Sequence, residues 1–260
     1  MRLRVVILAV LGTLALASAA ACGLETNRLE DGEQLPDRVT EVRISGGSGD
    51  VTLSADDTVS GVDIRRSVRY VREVPGKTTR VEQGVLHLST ECGNQCSVSY
   101  EVRTPRGVKV TGENGSGTID VRGVSDVDVR VGSGDIRVSD ATGAVTARTG
   151  SGRIELTNIA GDTTATTSSG DVDGRDLRGA RTMIEVASGT ITLDLPGTGD
   201  VTARANSGSI EVRVPERCCR VTAGAESGSE TVEVATNPDS PNDLDLHTDS
   251  GDITVRPKAS

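Results

Sequence analysis

Two pairs of closely spaced cysteines are the residues of this chain best placed to do chemistry, because thiols at such spacings form disulfides or bind metal ions. Cys92 and Cys96 flank a Gly-Asn-Gln segment between two alternating apolar segments, which predicts a hairpin tip that a disulfide would fix. Metal binding by these thiols is the alternative. No second Cys or His pair stands at a suitable spacing, so we predict a Cys92–Cys96 disulfide and no metal site.

Cys218 and Cys219 are adjacent in sequence. Neighbouring residues of a strand face opposite sides, so a bond between them would distort the peptide, whereas two free thiols would leave one inside and one exposed. Arg217 and Arg220 are the nearby groups that could lower the pKa of a thiol. We interpret this pair as structural or incidental, with both redox states open.

Acid–base catalysis would require His87, His247 or a pair of carboxylates. Both histidines lie in strand-like segments, with no nucleophile fixed beside either, so the sequence does not indicate a catalytic triad. Asp120 and Asp135 could form a carboxylate pair on successive repeats, as in a polysaccharide-cleaving β-helix. Such enzymes usually stack sugars on aromatic rings, and this chain has two Tyr and neither Phe nor Trp. We therefore predict no catalytic residues and no enzyme activity.

Aspartate follows a Ser-Gly or Thr-Gly pair at several places, as in calcium-binding repeats: Asp50, Asp135, Asp171, Asp200 and Asp252. Those repeats are nonapeptides, whereas the period here is about twice as long. Other residue types also occupy the equivalent position: Thr118, Arg153, Thr190, Ser209 and Ser229. No continuous ladder of ligands can form, and hydrogen bonds to nearby turn backbone explain the aspartates. We predict no calcium and no other cofactor.

The elements that position these residues are set by a regular repeat. Eight Ser-Gly pairs begin at spacings of 17, 18, 18, 19, 19, 20 and 23 residues: Ser116, Ser133, Ser151, Ser169, Ser188, Ser207, Ser227 and Ser250. Each is followed by apolar residues two apart, such as Ile136 and Val138, and a second, weaker strand lies in each interval. We predict an all-β fold, a parallel β-helix-like β-solenoid of about 18–20-residue two-strand rungs with an N-terminal β cap.

Two packed antiparallel sheets built from hairpins are the alternative fold, since they also give short strands and turns. Sandwich loops seldom keep so steady a period, which favours the solenoid. At the C-terminal end, Pro257 and Lys258 follow the last predicted strand, Ile253 to Val255. Because proline lacks an amide donor and lysine resists desolvation, we expect these two residues to close that edge.

The N-terminus has the anatomy of a bacterial export signal: Arg2 and Arg4, then an apolar stretch over 5–17 that is too short to span a membrane. Cys22 follows an Ala-Ala-Ala triplet, which resembles the lipobox of bacterial lipoproteins, in which the cysteine is lipidated. The same triplet fits an ordinary cleavage site that would release a secreted protein. We predict lipidation of Cys22, with secretion as the alternative.

The predicted domain order is a signal peptide over 1–21, a lipid-anchored acidic linker over 22–38, an N-terminal cap with the first rungs over 39–107, and the repeat β-solenoid over 108–257. The polar linker is expected to be a solvated tether. The formal net charge is −10, which argues against a nucleic-acid partner. The predicted location is extracytoplasmic, with the chain anchored to the cell membrane by an N-terminal lipid.

Three features together resemble the DUF4097 family, whose members are labelled candidate adhesins. They are the Cys-x3-Cys hairpin that leads into Ser-Val-Ser-Tyr-Glu-Val-Arg-Thr-Pro at 97–105, the Ser-Gly-Asp-Ile/Val rungs, and the Leu-Pro-Gly and Val-Pro-Glu corners at 195–197 and 214–216. The resemblance covers about residues 39–257, and the vicinal cysteines depart from it. It implies a surface-exposed β-solenoid with no established catalytic activity.

We therefore expect a non-enzymatic cell-surface lipoprotein, an adhesin-like binding or structural module of the bacterial envelope. Its partner would be a cell-envelope macromolecule or a membrane protein. The alternative is an accessory or sensor protein of an envelope-stress response, because some proteins similar to the family accompany such systems. A third hypothesis is a polysaccharide-active β-helix enzyme, which predicts a grooved face with clustered carboxylates.

Overall fold

The computed structural model describes residues 26–35 and 38–258. The predicted signal peptide over 1–21 and the predicted lipidation site Cys22 lie outside the described residues. Across the described ranges, the regular elements are all strands. No helix in these ranges has the length and apolarity needed to cross a membrane.

The strands form two sheets. The 12-stranded sheet A contains, in spatial order, β1 (Asn27–Leu35), β4 (Val62–Tyr70), β7 (Cys96–Thr104), β3 (Val51–Ala55), β9 (Ile119–Arg122), β11 (Ile136–Ser139), β13 (Ile154–Ile159), β15 (Val172–Leu177), β17 (Ile191–Asp194), β19 (Ile210–Val214), β23 (Ile253–Pro257) and β21 (Glu230–Val232). The 11-stranded sheet B contains β20 (Arg220–Ser227), β22 (Asp243–Ser250), β18 (Asp200–Ser207), β16 (Arg181–Ser188), β14 (Thr163–Ser169), β12 (Val145–Ser151), β10 (Val127–Ser133), β8 (Lys109–Ser116), β2 (Glu41–Ser45), β6 (Val85–Ser89) and β5 (Thr79–Glu82).

The repeats coil around one axis. From β8 onward, consecutive strands alternate between the two sheets, and each pairs in parallel with the equivalent strand of the adjacent rung. Ile136, for example, is aligned with Ile119 on one side and with Ile154 on the other. One strand in each sheet makes one rung. The predicted β-solenoid is therefore confirmed, and the alternative of two antiparallel sheets is wrong.

The core is a set of aliphatic columns that run along the solenoid. Residues at one strand position stack from rung to rung and are all fully buried: Ile119, Ile136, Ile154, Val172, Ile191, Ile210 and Ile253. Burying one such side chain contributes about 1.5–3 kcal/mol to folding. Because each rung exposes its apolar edge unless another rung covers it, this stabilisation depends on stacking.

The glycines of the Ser-Gly pairs form a column at one corner. From Gly117 to Gly251 their φ angles lie between 105° and 153°, a region that side-chain-bearing residues rarely adopt. A Cβ atom on Gly152 would lie 2.2 Å from the carbonyl oxygen of Gly134 in the adjacent rung. Glycine is therefore required both for the turn and for the close approach of successive rungs.

Neither end of the stack is formed by the first or last rung of the sequence. The β22–β23 rung lies between β18–β19 and β20–β21. At the other end, the β2–β3 rung lies between β6–β7 and β8–β9. Both rungs therefore have strand neighbours on two sides, so that unfolding either rung breaks hydrogen-bonded ladders on both of its sides.

The prediction that Pro257 and Lys258 close the C-terminal edge is wrong. β23 is internal, and the short strand β21 is the edge of sheet A. Lys258 instead lies against the side of the solenoid, with its Nζ 2.5 Å from Asp194 Oδ1, and this carboxylate raises the pKa of Lys258. The prediction fails because the last rung, β22–β23, is inserted between two earlier rungs, and the order of the strands in the sequence does not reveal this.

The predicted solvated linker over 22–38 is also wrong for residues 27–35, which form strand β1. β1 pairs antiparallel with β4 along its whole length, and Leu29 and Leu35 pack against the core. Asp31 forms an ion pair with Arg66. The two leucines give this acidic segment an apolar face, which explains why it adds to the sheet. The remaining linker residues 22–25, 36 and 37 lie outside the described residues.

We expect Gly152→Ala to lower the free energy of unfolding by about 2 kcal/mol or more, because it adds a backbone clash to a strained φ. Urea denaturation of the purified protein measures the change. Gly76→Ala is the control, since a Cβ at Gly76 would have nothing within 4 Å. We expect the control to stay within about 0.5 kcal/mol of the parent protein. Equal losses in the two variants would contradict the stacking argument.

Candidate functional site

A polar depression of about 690 Å³ lies on the outer face of sheet A at its N-terminal end. Its floor is a row of residues in register across four strands: Gly32 of β1, Arg65 of β4, Glu101 of β7 and Thr52 of β3. Gly32 contributes no side chain, which leaves space between its neighbours. A second depression of about 350 Å³ shares the same four residues. Together they make one open cleft, which we call the β1–β3 cleft.

The β1–β3 cleft carries mixed charge. Arg65 Nη1 lies 3.3 Å from Glu101 Oε2, and the two side chains are 82% and 63% exposed. An ion pair this exposed contributes little stability, so both groups are available to a ligand. Arg28 and Glu30 extend the same alternation along β1. The cleft therefore suits a polar ligand that both donates and accepts hydrogen bonds.

A buried hydrogen-bond network holds the sheet behind this cleft. Tyr100 is 3% exposed, and its hydroxyl donates to the Ser89 carbonyl oxygen at 2.7 Å. Burial raises the pKa of Tyr100 to about 12. Arg66 donates to the Gly76 carbonyl oxygen at 2.7 Å, and its hydrogen bond to Asp31 lowers the pKa of that carboxyl. These contacts tie β1 and β4 to the 71–78 connection and β7 to β6, and they hold the sheet behind the cleft.

The cleft is lined mainly by charged and hydroxyl side chains. The residues that line it include no His, Cys or Lys. His87 lies elsewhere, in β6 of sheet B, with its Nε2 3.9 Å from Glu82 Oε2. His247 lies in β22, near the opposite end of that sheet. The structure therefore brings neither histidine to the cleft.

Of the two carboxylates considered for sugar cleavage, Asp135 is bound by an arginine. Asp120 is aligned with Arg137 across β9 and β11. Arg137 Nη2 donates to Asp135 Oδ2 at 2.9 Å and forms an ion pair with Glu155 at 3.4 Å. Asp135 is thus paired with Arg137, which also stands beside Asp120, whereas glycoside cleavage needs two carboxylates that face one substrate bond.

The Ser-Gly and Thr-Gly aspartates bind backbone amides of the next rung. Asp135 Oδ1 accepts the Arg153 N–H at 3.0 Å. Equivalent bonds join the remaining pairs: Asp50 with Thr118, Asp171 with Thr190, Asp200 with Asp243, and Asp252 with Ser229. The hydroxyl and N–H of Ser229 lower the pKa of Asp252. Sequence reasoning expected turn hydrogen bonds within a rung, and the structure places them between rungs.

The cysteine pairs lie at corners near the two ends of the solenoid. Cys92 and Cys96 Sγ atoms lie 2.04 Å apart, at disulfide-bonding distance, in the connection between β6 and β7. Cys218 and Cys219 Sγ atoms lie 2.09 Å apart in the turn between β19 and β20. Because the second pair lies in a turn, the alternation of strand side chains that the sequence analysis considered does not apply to it.

Sequence reasoning missed one group of potential ligands. Glu226, His247 and Asp249 place one ligand atom each within 4.8 Å of one another. Glu226 and Asp249 both directly precede a Ser-Gly pair, and His247 lies two residues before Asp249 on the same strand face. Aligning the repeats by their Ser-Gly pairs would have found the group.

Comparison with known proteins gives one family and several solved structures. The sequence model described as Toastrack DUF4097 matches residues 34–256. A candidate cell adhesion protein from Clostridium sporogenes is 11% identical, with a TM-score of 0.30 over 89% of this chain and 100% of the other. Candidate adhesins from Bacteroides fragilis (11% identity, TM-score 0.46, 89% and 97%) and Parabacteroides merdae (12%, 0.30, 89% and 96%) also align. No curated protein matches the chain.

We expect Asp171→Ala to lower the free energy of unfolding by about 1 kcal/mol, because the Thr190 N–H loses its acceptor. Asp171→Asn keeps an oxygen at that position and should cost less than about 0.5 kcal/mol. Urea denaturation with and without added calcium measures both variants. Equal losses in the two variants, or a calcium-dependent rise in the midpoint of the parent protein, would show that the carboxylate serves another purpose.

Proposed function

This chain belongs to the DUF4097 (Toastrack) family, and we propose that it is a non-enzymatic, adhesin-like binding module of the bacterial envelope. The observation that carries the proposal is the outer face of sheet A, where charged side chains repeat at the rung spacing in straight rows that begin at the β1–β3 cleft. The proposed ligand is a polar, extended macromolecule of the cell envelope, which would lie along these rows.

The charged rows follow from the parallel register. One row runs along the outer face from the cleft to the far end: Thr52, Asp120, Arg137, Glu155, Asp173, Thr192, Glu211, Thr254 and Thr231. Successive members lie about 4.8 Å apart, the spacing of hydrogen-bonded strands. Ion pairs join neighbouring rungs, as between Arg153 and Asp173 at 3.5 Å and between Arg256 and Glu211 at 3.4 Å.

The pairing of the strands of sheet A on both sides supports a binding role for its outer face. Each internal strand of sheet A is held by a neighbour on both sides, so its outward side chains are already positioned before a ligand arrives. Preorganisation reduces the entropy lost on binding. Mixed charge favours specificity over general attraction to any polyanion, which agrees with the net negative charge of the chain.

The proposed anchor would hold the N-terminal end of the solenoid near the membrane. Lipidation of Cys22 is part of the proposal and rests on the sequence signal alone. Only four residues separate Cys22 from Asn27, where β1 begins. Fully extended, that stretch spans at most about 18 Å. The β1–β3 cleft would then face the zone just outside the membrane, while the far rungs extend away from it.

The short distance from Cys22 to β1 also favours a second candidate function, an accessory or sensor protein of an envelope-stress response. A cleft held within about 18 Å of a lipid anchor is within reach of the extracytoplasmic part of a membrane protein. The two candidates differ in partner. The first predicts an envelope polymer along sheet A, and the second predicts one specific membrane protein at the cleft.

A photoreactive amino acid placed at Thr192 on the outer face of sheet A should cross-link to an envelope macromolecule in intact cells. Thr202 on the outer face of sheet B is the matched control, because both threonines are half-buried and lie between two buried neighbours. Mass spectrometry and glycan analysis identify the adduct. A membrane-protein adduct from the same probe placed at Thr52, in the β1–β3 cleft, would favour the second candidate. Equal adducts from both faces, or none from either, would refute binding through sheet A.

We expect Cys22→Ala to move the protein from the membrane fraction to the soluble extracytoplasmic fraction, because the lipid attachment site is removed. Cell fractionation with immunoblotting measures the distribution. Cys92→Ala serves as a control, since it alters a cysteine of the solenoid and leaves the anchor intact. If the Cys22→Ala protein stays with the membrane, the lipidation hypothesis is wrong.

A further inference from the structure

One histidine and two carboxylates meet on the outer face of sheet B at its C-terminal end. His247 and Asp249 are two residues apart on β22 and therefore share a face. β20 pairs with β22 in a register that aligns Gly224 with His247 and Ser227 with Ser250. This register places Glu226 beside Asp249, so that the three ligand atoms lie within 4.8 Å of one another.

The three side chains are partly or fully exposed, so an ion from the solvent can reach them. His247 Nε2 lies 3.3 Å from Asp249 Oδ1, and the two side chains are 38% and 53% exposed. Gly224 is the residue of β20 opposite the imidazole, and a Cβ added there would lie 3.5 Å from His247 Nδ1. The glycine thus gives the ring open space on the side of the edge strand.

The nearest arginine is held by another carboxylate. Arg204 of β18 is aligned with His247, but its Nη2 lies 3.1 Å from Asp245 Oδ2. Asp245 lies on the same face of β22, two residues before His247. Its carboxylate balances the charge of the Arg204 guanidinium. Unlike the Ser-Gly aspartates, Glu226 and Asp249 accept no backbone N–H within the described residues. Their oxygens are therefore not committed to the stacking of the rungs.

This group occurs once in the repeat. In the other rungs, the position of Asp249 and Glu226 carries small or neutral residues: Gly115, Gly132, Gly150, Ser168, Ala187 and Asn206. The position of His247 carries Glu113, Arg130, Arg148, Thr166, Glu185 and Arg204 in those rungs. Within the described part of the chain, an imidazole and two carboxylates are combined in this way only where the last two rungs in sequence meet.

We propose that Glu226, His247 and Asp249 bind a divalent transition-metal ion, with one imidazole nitrogen, two carboxylate oxygens and water as ligands. Zinc accepts this donor set in four-coordinate sites, whereas calcium and magnesium prefer oxygen ligands alone. The sequence expectation of no metal site considered only the cysteines and the Ser-Gly aspartates. The ion would join edge strand β20 to internal strand β22 and would thereby fix the outermost rung.

Zinc titration of the purified protein by isothermal calorimetry tests the site. We expect one zinc ion per chain at this site, and at least tenfold weaker binding for His247→Gln and for Glu226→Gln. His87→Gln is the matched control, because the chain has only two histidines. It should bind zinc as the parent protein does. Unchanged binding in His247→Gln, or equal weakening in His87→Gln, would overturn the proposal.

Amide hydrogen exchange at saturating zinc gives a second readout, because it reports which strand the bound ion protects. Zinc should slow exchange across β20 in the parent protein and in His87→Gln, because the ion ties the edge strand to its neighbour. It should leave β20 unchanged in His247→Gln. Calcium at the same concentration should have no such effect. Protection by calcium equal to that by zinc, or protection by zinc that persists in His247→Gln, would show that the three side chains do not form the site.

Discussion

The stacking of equivalent residues in register, rung upon rung, is the constraint on which the rest of this structure depends. Parallel pairing fixes the rise at about 4.8 Å, so each side chain must fit against the copy of itself above and below. Isoleucine and valine satisfy this rule inside, where a column of them is fully buried. At the corner formed by the Ser-Gly pairs only glycine fits, because a Cβ on Gly208 would lie 1.7 Å from the Gly189 carbonyl oxygen. Because equivalent residues stack in register, the charged side chains of successive rungs form rows on the outer face of sheet A. These rows make that face a candidate binding surface.

The end rungs of a solenoid expose unpaired backbone and apolar side chains. In this chain the rungs near both ends are stacked out of sequence order. The β22–β23 rung, which is last in sequence, lies between the β18–β19 and β20–β21 rungs. At the other end, the β2–β3 rung is covered by β6–β7. At the C-terminal end the connection through 215–219 must pass over the inserted rung. Its corner is held by hydrogen bonds from Ser240 Oγ to the Cys218 carbonyl oxygen at 2.8 Å and from the Asn237 N–H to the Cys219 carbonyl oxygen at 3.0 Å. The polar segment over 236–242, which lies between β21 and β22, is therefore part of this closure.

Much of the solenoid was predictable from the sequence, because its determinants are local and repeat. Ser-Gly pairs mark the corner, and alternating residues such as Ile154 and Leu156 mark the inner face. The interleaved ends were not predictable, since rung order depends on which neighbours bury more surface, and only the long spacing between Ser227 and Ser250 hinted at it. β1 was missed because acidic residues between Leu29 and Leu35 hide a two-leucine apolar face. At the candidate sites, the β1–β3 cleft depends on the unforeseen β1, whereas Glu226, His247 and Asp249 follow from the Ser-Gly alignment.

Nuclear Overhauser contacts between valine methyl groups of sheet A test the stacking and its interleaved order most directly. Val212 of β19 is aligned with Val255 of β23, which in turn is aligned with Val232 of β21. The account predicts strong contacts from Val255 to both Val212 and Val232, and none between Val212 and Val232. Direct contact between Val212 and Val232, with Val255 at the end of the series, would show that the rungs stack in sequence order. Contacts that fit antiparallel pairing of these strands would contradict the solenoid itself.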